Sequence, residues 1–142
     1  MTTCSFDGQN LAADTRSMTG GIIDQSPCQK IFRRKGIFCA LAGDVSEALV
    51  VIKYLLNPKL EKPIIEEGGN WEIILIGGGR TEFYSGTLNP SPMEAPFAIG
   101  SGSGYAIAAM LCGKTAAQSI RIAAKLDSST GVEFGVRNFK IR

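Results

Sequence analysis

The chain opens on two short runs of small and apolar residues, 3–6 and 10–15, separated by Asp7-Gly8. That pattern predicts two strands joined by a tight hairpin turn. Gly20-Gly21 and Lys35-Gly36 mark further turns, and residues 28–33 and 37–42 carry the next strand patterns. The first four strands are therefore expected to be sequential and antiparallel. The period then changes. Ala48, Leu49, Ile52, Leu55 and Leu56 recur at helical spacing behind Asp44 and Glu47, which stand as a capping box would. Pro58 and Pro63 bracket a connection. Residues 71–76 and 81–84 read as a hairpin around Gly77-Gly78-Gly79, and residues 97–99 as a short strand after Pro90, Pro92 and Pro96. A helix over residues 104–112 follows. Another starts at Thr115, with Gln118 as its capping partner and Ala116, Ile120, Ala123 and Ala124 along one face. Residues 132–139 predict a closing strand. This order of strands and helices implies helices packed on sheets, the α+β class.

Composition narrows the function. The 142 residues suit one domain, 1–142, with 44% hydrophobic and 20% charged residues. A net charge of +2 gives no electrostatic footprint for nucleic acid, and Arg33-Arg34-Lys35 reads as a solvated strand end or turn. No apolar run reaches the roughly 18 residues that span a bilayer. The opening stretch lacks the basic start and apolar run of a signal peptide. Cys4, Cys28, Cys39 and Cys112 are scattered with no C-x-x-C spacing, which fits buried thiols in a reducing cytoplasm. The chain has no histidine. That removes Ser-His and Cys-His catalysis and the commonest metal ligand, so a hydrolase built on this chain needs another base.

Thr2 supplies one. Removal of Met1 would leave a threonine whose hydroxyl is the nucleophile and whose own α-amine, with a reference pKa of about 8, is the base. A two-residue Asp7-Gly8 loop pairs Phe6 with Gln9 and sets Thr2 opposite Ala13. A one-residue bulge would set it opposite Asp14. In either register Asp14 lies beside the N-terminus. Lys30, inside the apolar "CQKIF" run, would favour an ionised neighbour. A plain ion pair between Asp14 and Lys30 on a sheet face accounts for the same residues. "GSGSG" at Gly100 to Gly104 sits where a phosphate loop would, yet it lacks G-x-G-x-x-G and a following Lys-Ser or Lys-Thr.

Taken in order, "TTCSFDGQNLAADTR", "QKIFRR", "ALAGDVSEA", "AIGSGSGYAIAAM" and "LDSSTG" resemble the proteasome β-subunit family, and especially the compact HslV-type peptidases, which are N-terminal nucleophile hydrolases. The chain is shorter than typical members, mainly between Tyr54 and Trp71 and around Ser85 to Pro96. The resemblance implies Thr2 as nucleophile, Asp14 and Lys30 as its activators, and the Gly43 N–H as oxyanion donor. It further implies Ser101, Asp127 and Thr130 around the amine; at 130 a threonine stands where the family has serine. Cys28, Phe32, Leu41 and Val45 would line the pocket for the residue before the cleaved bond, implying cleavage after apolar residues.

The implied fold is a four-layer αββα sandwich of two antiparallel sheets flanked by helices. The implied activity is a cofactor-free threonine endopeptidase in a homo-oligomeric ring, acting on polypeptides and fed by an ATP-dependent unfoldase. Two alternatives stand beside it. A retained Met1 would block the amine and leave a non-catalytic ring or shell subunit. A small-molecule amidohydrolase would use the same nucleophile on another substrate.

Overall fold

The computed structural model describes residues 2–141. Met1, whose removal a Thr2 nucleophile requires, lies outside them. Strands β1 (Thr3–Phe6) and β2 (Asn10–Ala13) form the expected first hairpin, but its tip is Gly8-Gln9. The Asp7 carboxylate accepts the N–H groups of Gln9 and Asn10 at 2.8 and 2.7 Å, and the Asp7 N–H donates to the Asn10 carbonyl. The turn is thereby closed one residue later than Asp7-Gly8 predicts. Phe6 pairs with Leu11 and Cys4 with Ala13, so neither of the two expected registers forms.

A small hairpin that the pattern did not announce follows, β3 (Met18–Thr19) and β4 (Ile22–Ile23), around Gly20-Gly21. The chain then crosses to a second sheet with β5 (Ile31–Arg34) and β6 (Ile37–Gly43). The expectation of four sequential antiparallel strands fails here. β1–β2 and β5–β6 are separate hairpins in different sheets. Helix α1 (Val45–Leu56) begins at Asp44, whose side chain accepts the Ser46 N–H, and Glu47 makes no reciprocal bond; this is a simple N-cap rather than a capping box.

Strands β7 (Trp71–Gly77), β8 (Arg80–Ser85) and β9 (Ser91–Pro92) complete the second sheet in the order β5-β6-β7-β8-β9. β10 (Phe97–Gly100) returns to the first sheet. Helices α2 (Ser103–Leu111) and α3 (Ala116–Leu126) follow, and α3 carries the full Thr115–Gln118 capping box. The last strand, β11 (Arg137–Lys140), is shorter than residues 132–139 suggest and gives the first sheet the order β10-β1-β2-β11.

Alternation on the strands builds the layers. Cys4, Phe6, Leu11 and Ala13 of the first sheet meet Ile31, Ala40, Ala42, Ile74 and Ile76 of the second in one core between the sheets. The opposite face of the second sheet, with Cys39, Leu41, Ile73 and Leu75, takes Ala48, Val51, Ile52 and Leu55 of α1. On the far side, Ile120 and Ala116 of α3 pack on Ala12, and α2 packs its Ala106 and Met110 around Ala98. The result is the four-layer αββα arrangement. Cys4 and Cys39 are fully buried, one in each of the first two cores, and burial pushes both thiols up. Among the described residues no helix is long and apolar enough to cross a membrane, and no group of three or more His, Cys, Asp or Glu is placed to hold a metal ion.

Ile74 is completely buried between the sheets. Ile74→Ala should lower the unfolding free energy by about 2–5 kcal/mol in chemical denaturation, from lost transfer energy and the cavity left behind.

Candidate active site

Three polar side chains are buried together at one end of the sheet interface. Thr2, Asp14 and Lys30 are 3%, 0% and 3% exposed. Such groups persist inside a protein only when they satisfy one another. The Thr2 hydroxyl donates to Asp14 Oδ1 and accepts from Lys30 Nζ. Lys30 Nζ also reaches Asp14 Oδ1 at 2.7 Å and donates to the Arg16 carbonyl.

The backbone supplies the rest of the Asp14 shell. Asp14 lies just past the end of β2, and its Oδ1 accepts the Thr3 N–H at 3.1 Å while its Oδ2 accepts the Gly131 N–H at 2.9 Å. Lys30 precedes β5 rather than lying in it, although its carbonyl still takes the Leu41 N–H at 2.9 Å. It is therefore at the mouth of the second sheet, free of the regular alternation, and reaches across to the first sheet.

A cleft of about 90 Å³ opens on this cluster. Thr2, Lys30 and Gly43 form its polar floor, and Cys28, Leu41 and Val45 its apolar wall. Phe32 is not among the lining residues; it packs into the core under α1. Arg16, Ser17 and Met18 also line the cleft, and nothing in the sequence around them marks them as site residues. They arrive with the irregular segment after Asp14 and with the β3–β4 hairpin. Arg16 is itself engaged: its guanidinium binds Glu133 and, at 2.6 Å, the Ser128 carbonyl.

Gly43 is fixed by a close approach. Its φ is +93°, and a Cβ there would lie 2.3 Å from the Asn70 carbonyl oxygen. The Asp44 N–H points at that same oxygen, and the Leu41 N–H points the opposite way, toward Lys30. Alternation along the strand turns the Gly43 N–H to the Lys30 side, where the cleft lies, just ahead of the α1 N-terminus.

Ser101, Asp127 and Thr130 form a second polar group. Ser101 and Thr130 donate to Asp127 Oδ2 at 2.6 and 2.5 Å. Partial burial pushes the Asp127 carboxyl up, but the bonds from Ser101, Thr130 and the Ser129 N–H outweigh it and hold the group below the ordinary carboxylate range. The two groups are joined through the loop 127–131, since Gly131 binds Asp14 and Thr130 binds Thr3, whose Oγ1 lies 2.6 Å from that of Thr130. Thr3 was missed in the sequence, where a hydroxyl residue next to Thr2 on the first strand was the only signal it offered; the structure buries it completely.

No protein-family model matches the chain, and no curated protein sequence matches it. Solved structures do. The Thiobacillus denitrificans BPH in complex with Epoxomicin superposes with a TM-score of 0.74 at 17% identity, covering 99% of this chain and 98% of that one. Another Thiobacillus denitrificans BPH structure gives 0.71 at 16% over the same shares. Eukaryotic HslV from Trypanosoma brucei gives 0.70 at 18%, covering 97% of each chain. The chain has the fold of these proteins along nearly its whole length.

Two measurements test this geometry. Lys30→Met leaves the Asp14 carboxylate buried without its cation and should cost about 3–5 kcal/mol in a denaturant titration. Because the Asp127 pKa is depressed in the folded chain, its stabilising contribution is present above the unfolded carboxylate value and is lost as pH falls through the folded one. The stability difference between the natural chain and Asp127→Asn should therefore shrink as pH is lowered below the usual carboxylate range.

Proposed function

We propose that the chain is a threonine peptidase of the N-terminal nucleophile type, acting through an acyl-enzyme on Thr2 once Met1 is removed. The observation that carries the reading is the buried contact of the Thr2 hydroxyl with both Lys30 and Asp14 at the floor of a cleft. A hydroxyl held between an ammonium and a carboxylate is polarised, and the positive charge beside it favours its ionised form.

In this reading the Thr2 α-amine takes the hydroxyl proton as Oγ1 attacks the substrate carbonyl carbon. The Gly43 N–H receives the developing oxyanion. The amine passes its proton to the leaving nitrogen, the C–N bond breaks, and an ester to Thr2 remains. Water then attacks the ester, the amine takes a proton from it, and Thr2 Oγ1 is released with its proton restored. Asp14 and Lys30 hold charge and orientation throughout, Ser101, Asp127 and Thr130 surround the amine, and no cofactor takes part.

Cys28, Leu41 and Val45, together with Met18, give the cleft an apolar wall, and the substrate residue seated there is apolar. The substrates are polypeptides, and the chain works in the cytoplasm as a homo-oligomeric ring served by an ATP-dependent unfoldase. Fold likeness to eukaryotic HslV supports this assembly. So do uncovered apolar side chains on the α2–α3 layer: Leu111 is 71% and Leu126 61% exposed.

Thr2→Ala should abolish hydrolysis of a fluorogenic peptide panel while leaving the melting temperature and the assembled mass close to those of the natural chain. Full activity in Thr2→Ala would refute the nucleophile. Within the panel, peptides with an apolar residue before the scissile bond should be cleaved fastest, and a clear preference for acidic or basic residues there would refute the assigned pocket.

A further inference from the structure

Thr3 faces both polar groups at once. Its backbone N–H donates to Asp14 Oδ1, the carboxylate oxygen that also contacts Thr2 and Lys30. Its side chain points the other way, 2.6 Å from Thr130 Oγ1, and accepts the Gly102 N–H at 3.1 Å. It is completely buried, and Thr130 is 1% exposed, so neither hydroxyl trades these partners for water.

Counting protons fixes the direction of each bond. An ionised Asp127 accepts only, so the hydroxyls of Ser101 and Thr130 must both donate to it. Thr130 has then spent its one proton, and the Thr3–Thr130 contact is made by the Thr3 proton. Thr3 Oγ1 in turn accepts from Gly102, the N-cap of α2 and the neighbour of Ser101. The bonds close a circuit from Gly102 through Thr3 and Thr130 to Asp127, and back through Ser101. A Cβ at residue 102 would lie 2.2 Å from Thr3 Oγ1, so Gly102 is the residue that lets the circuit close.

We propose that Thr3 is a positioning residue for the nucleophile: its hydroxyl locks the loop 127–131 and the Ser101-Gly102 turn to the strand that directly follows Thr2. This rests on the reading of Thr2 as nucleophile. The lock acts on both sides of Thr2. On one side it holds Gly131 against Asp14, and on the other it fixes Ser101, whose proton is committed to Asp127 and which therefore offers only lone pairs to any further group. An acceptor suits an amine N–H. The methyl group of Thr3 takes no part in the circuit.

The test uses the assembled, Met1-processed protein and a peptide epoxyketone, whose stable adduct consumes both the hydroxyl and the amine of an N-terminal threonine. Labelling of the natural chain is followed by intact mass, and its saturation kinetics give kinact and KI. Absence of any adduct on the natural chain would defeat the nucleophile reading itself. With the natural chain labelled, Thr3→Val, which matches the shape but carries no hydroxyl, should lower kinact on the order of 10- to 100-fold with KI nearly unchanged, as expected for a nucleophile displaced from its attack geometry. Thr3→Ser, which keeps the hydroxyl and drops the methyl, should restore kinact. Unchanged kinact in Thr3→Val, or an equal loss in Thr3→Ser, would overturn the positioning role. Should Thr3→Val not fold, Thr3→Ala places no second methyl beside the Gly102 N–H and is judged by the same two outcomes.

Discussion

The structure turns on one buried ion pair. Lys30 and Asp14 flank strands of different sheets and meet at 2.7 Å almost without solvent. Desolvating two charges is expensive, and their attraction offsets that cost only when the remaining lone pairs and protons are also satisfied. Here they are. Asp14 accepts from Thr2, Thr3, Lys30 and Gly131, and Lys30 donates to Thr2, Asp14 and the Arg16 carbonyl. The pair is an unpromising way to gain stability against an apolar packing of the same volume. It makes sense as an arrangement that sets the electrostatics around the Thr2 hydroxyl.

The layers explain how the chain keeps that arrangement. The core between the sheets fixes the distance from β1–β2, which Thr2 and Asp14 flank, to the segment before β5, which carries Lys30. α1 braces the second sheet from behind, and Gly43, just ahead of its N-terminus, lines the cleft beside Thr2 and Lys30. α3 ends at Asp127, so the loop that feeds Thr130 and Gly131 into the site hangs from a helix pinned to the first sheet by Ile120. Each catalytic candidate is thus held by an element whose other face is committed to a core, which is what preorganisation requires.

Much of this was legible. Turn glycines and the change from strand to helical period placed α1, α3 and the β7–β8 hairpin to within a residue or two. The absence of histidine pointed to Thr2, the family resemblance added Asp14 and Lys30, and the three side chains do meet in one buried cluster. What was hidden has physical causes. Local pairing rules favour neighbours in sequence, and the crossing from β2 to β5 breaks them by changing sheets. Asp7 capped its own turn through two backbone N–H groups, which moved the hairpin register beyond both expected alternatives. Lys30 lies ahead of its strand because the ladder begins only at Ile31. Residues 132–136 carried strand-like side chains but turn at Gly135, whose φ is +87°, so β11 starts late. Thr3 and Arg16 act through contacts more than a hundred residues away in sequence, which no local pattern reports.

Catalysis by Thr2 requires a free amine on that residue. Intact-mass measurement of the purified protein, with sequencing of its first residues, addresses that requirement without any assumption about substrate. The expected result is a chain lighter by one methionine and beginning Thr-Thr-Cys. A fully retained Met1 in the assembled, native protein would contradict it and would leave a ring or shell subunit with a buried but silent ion pair.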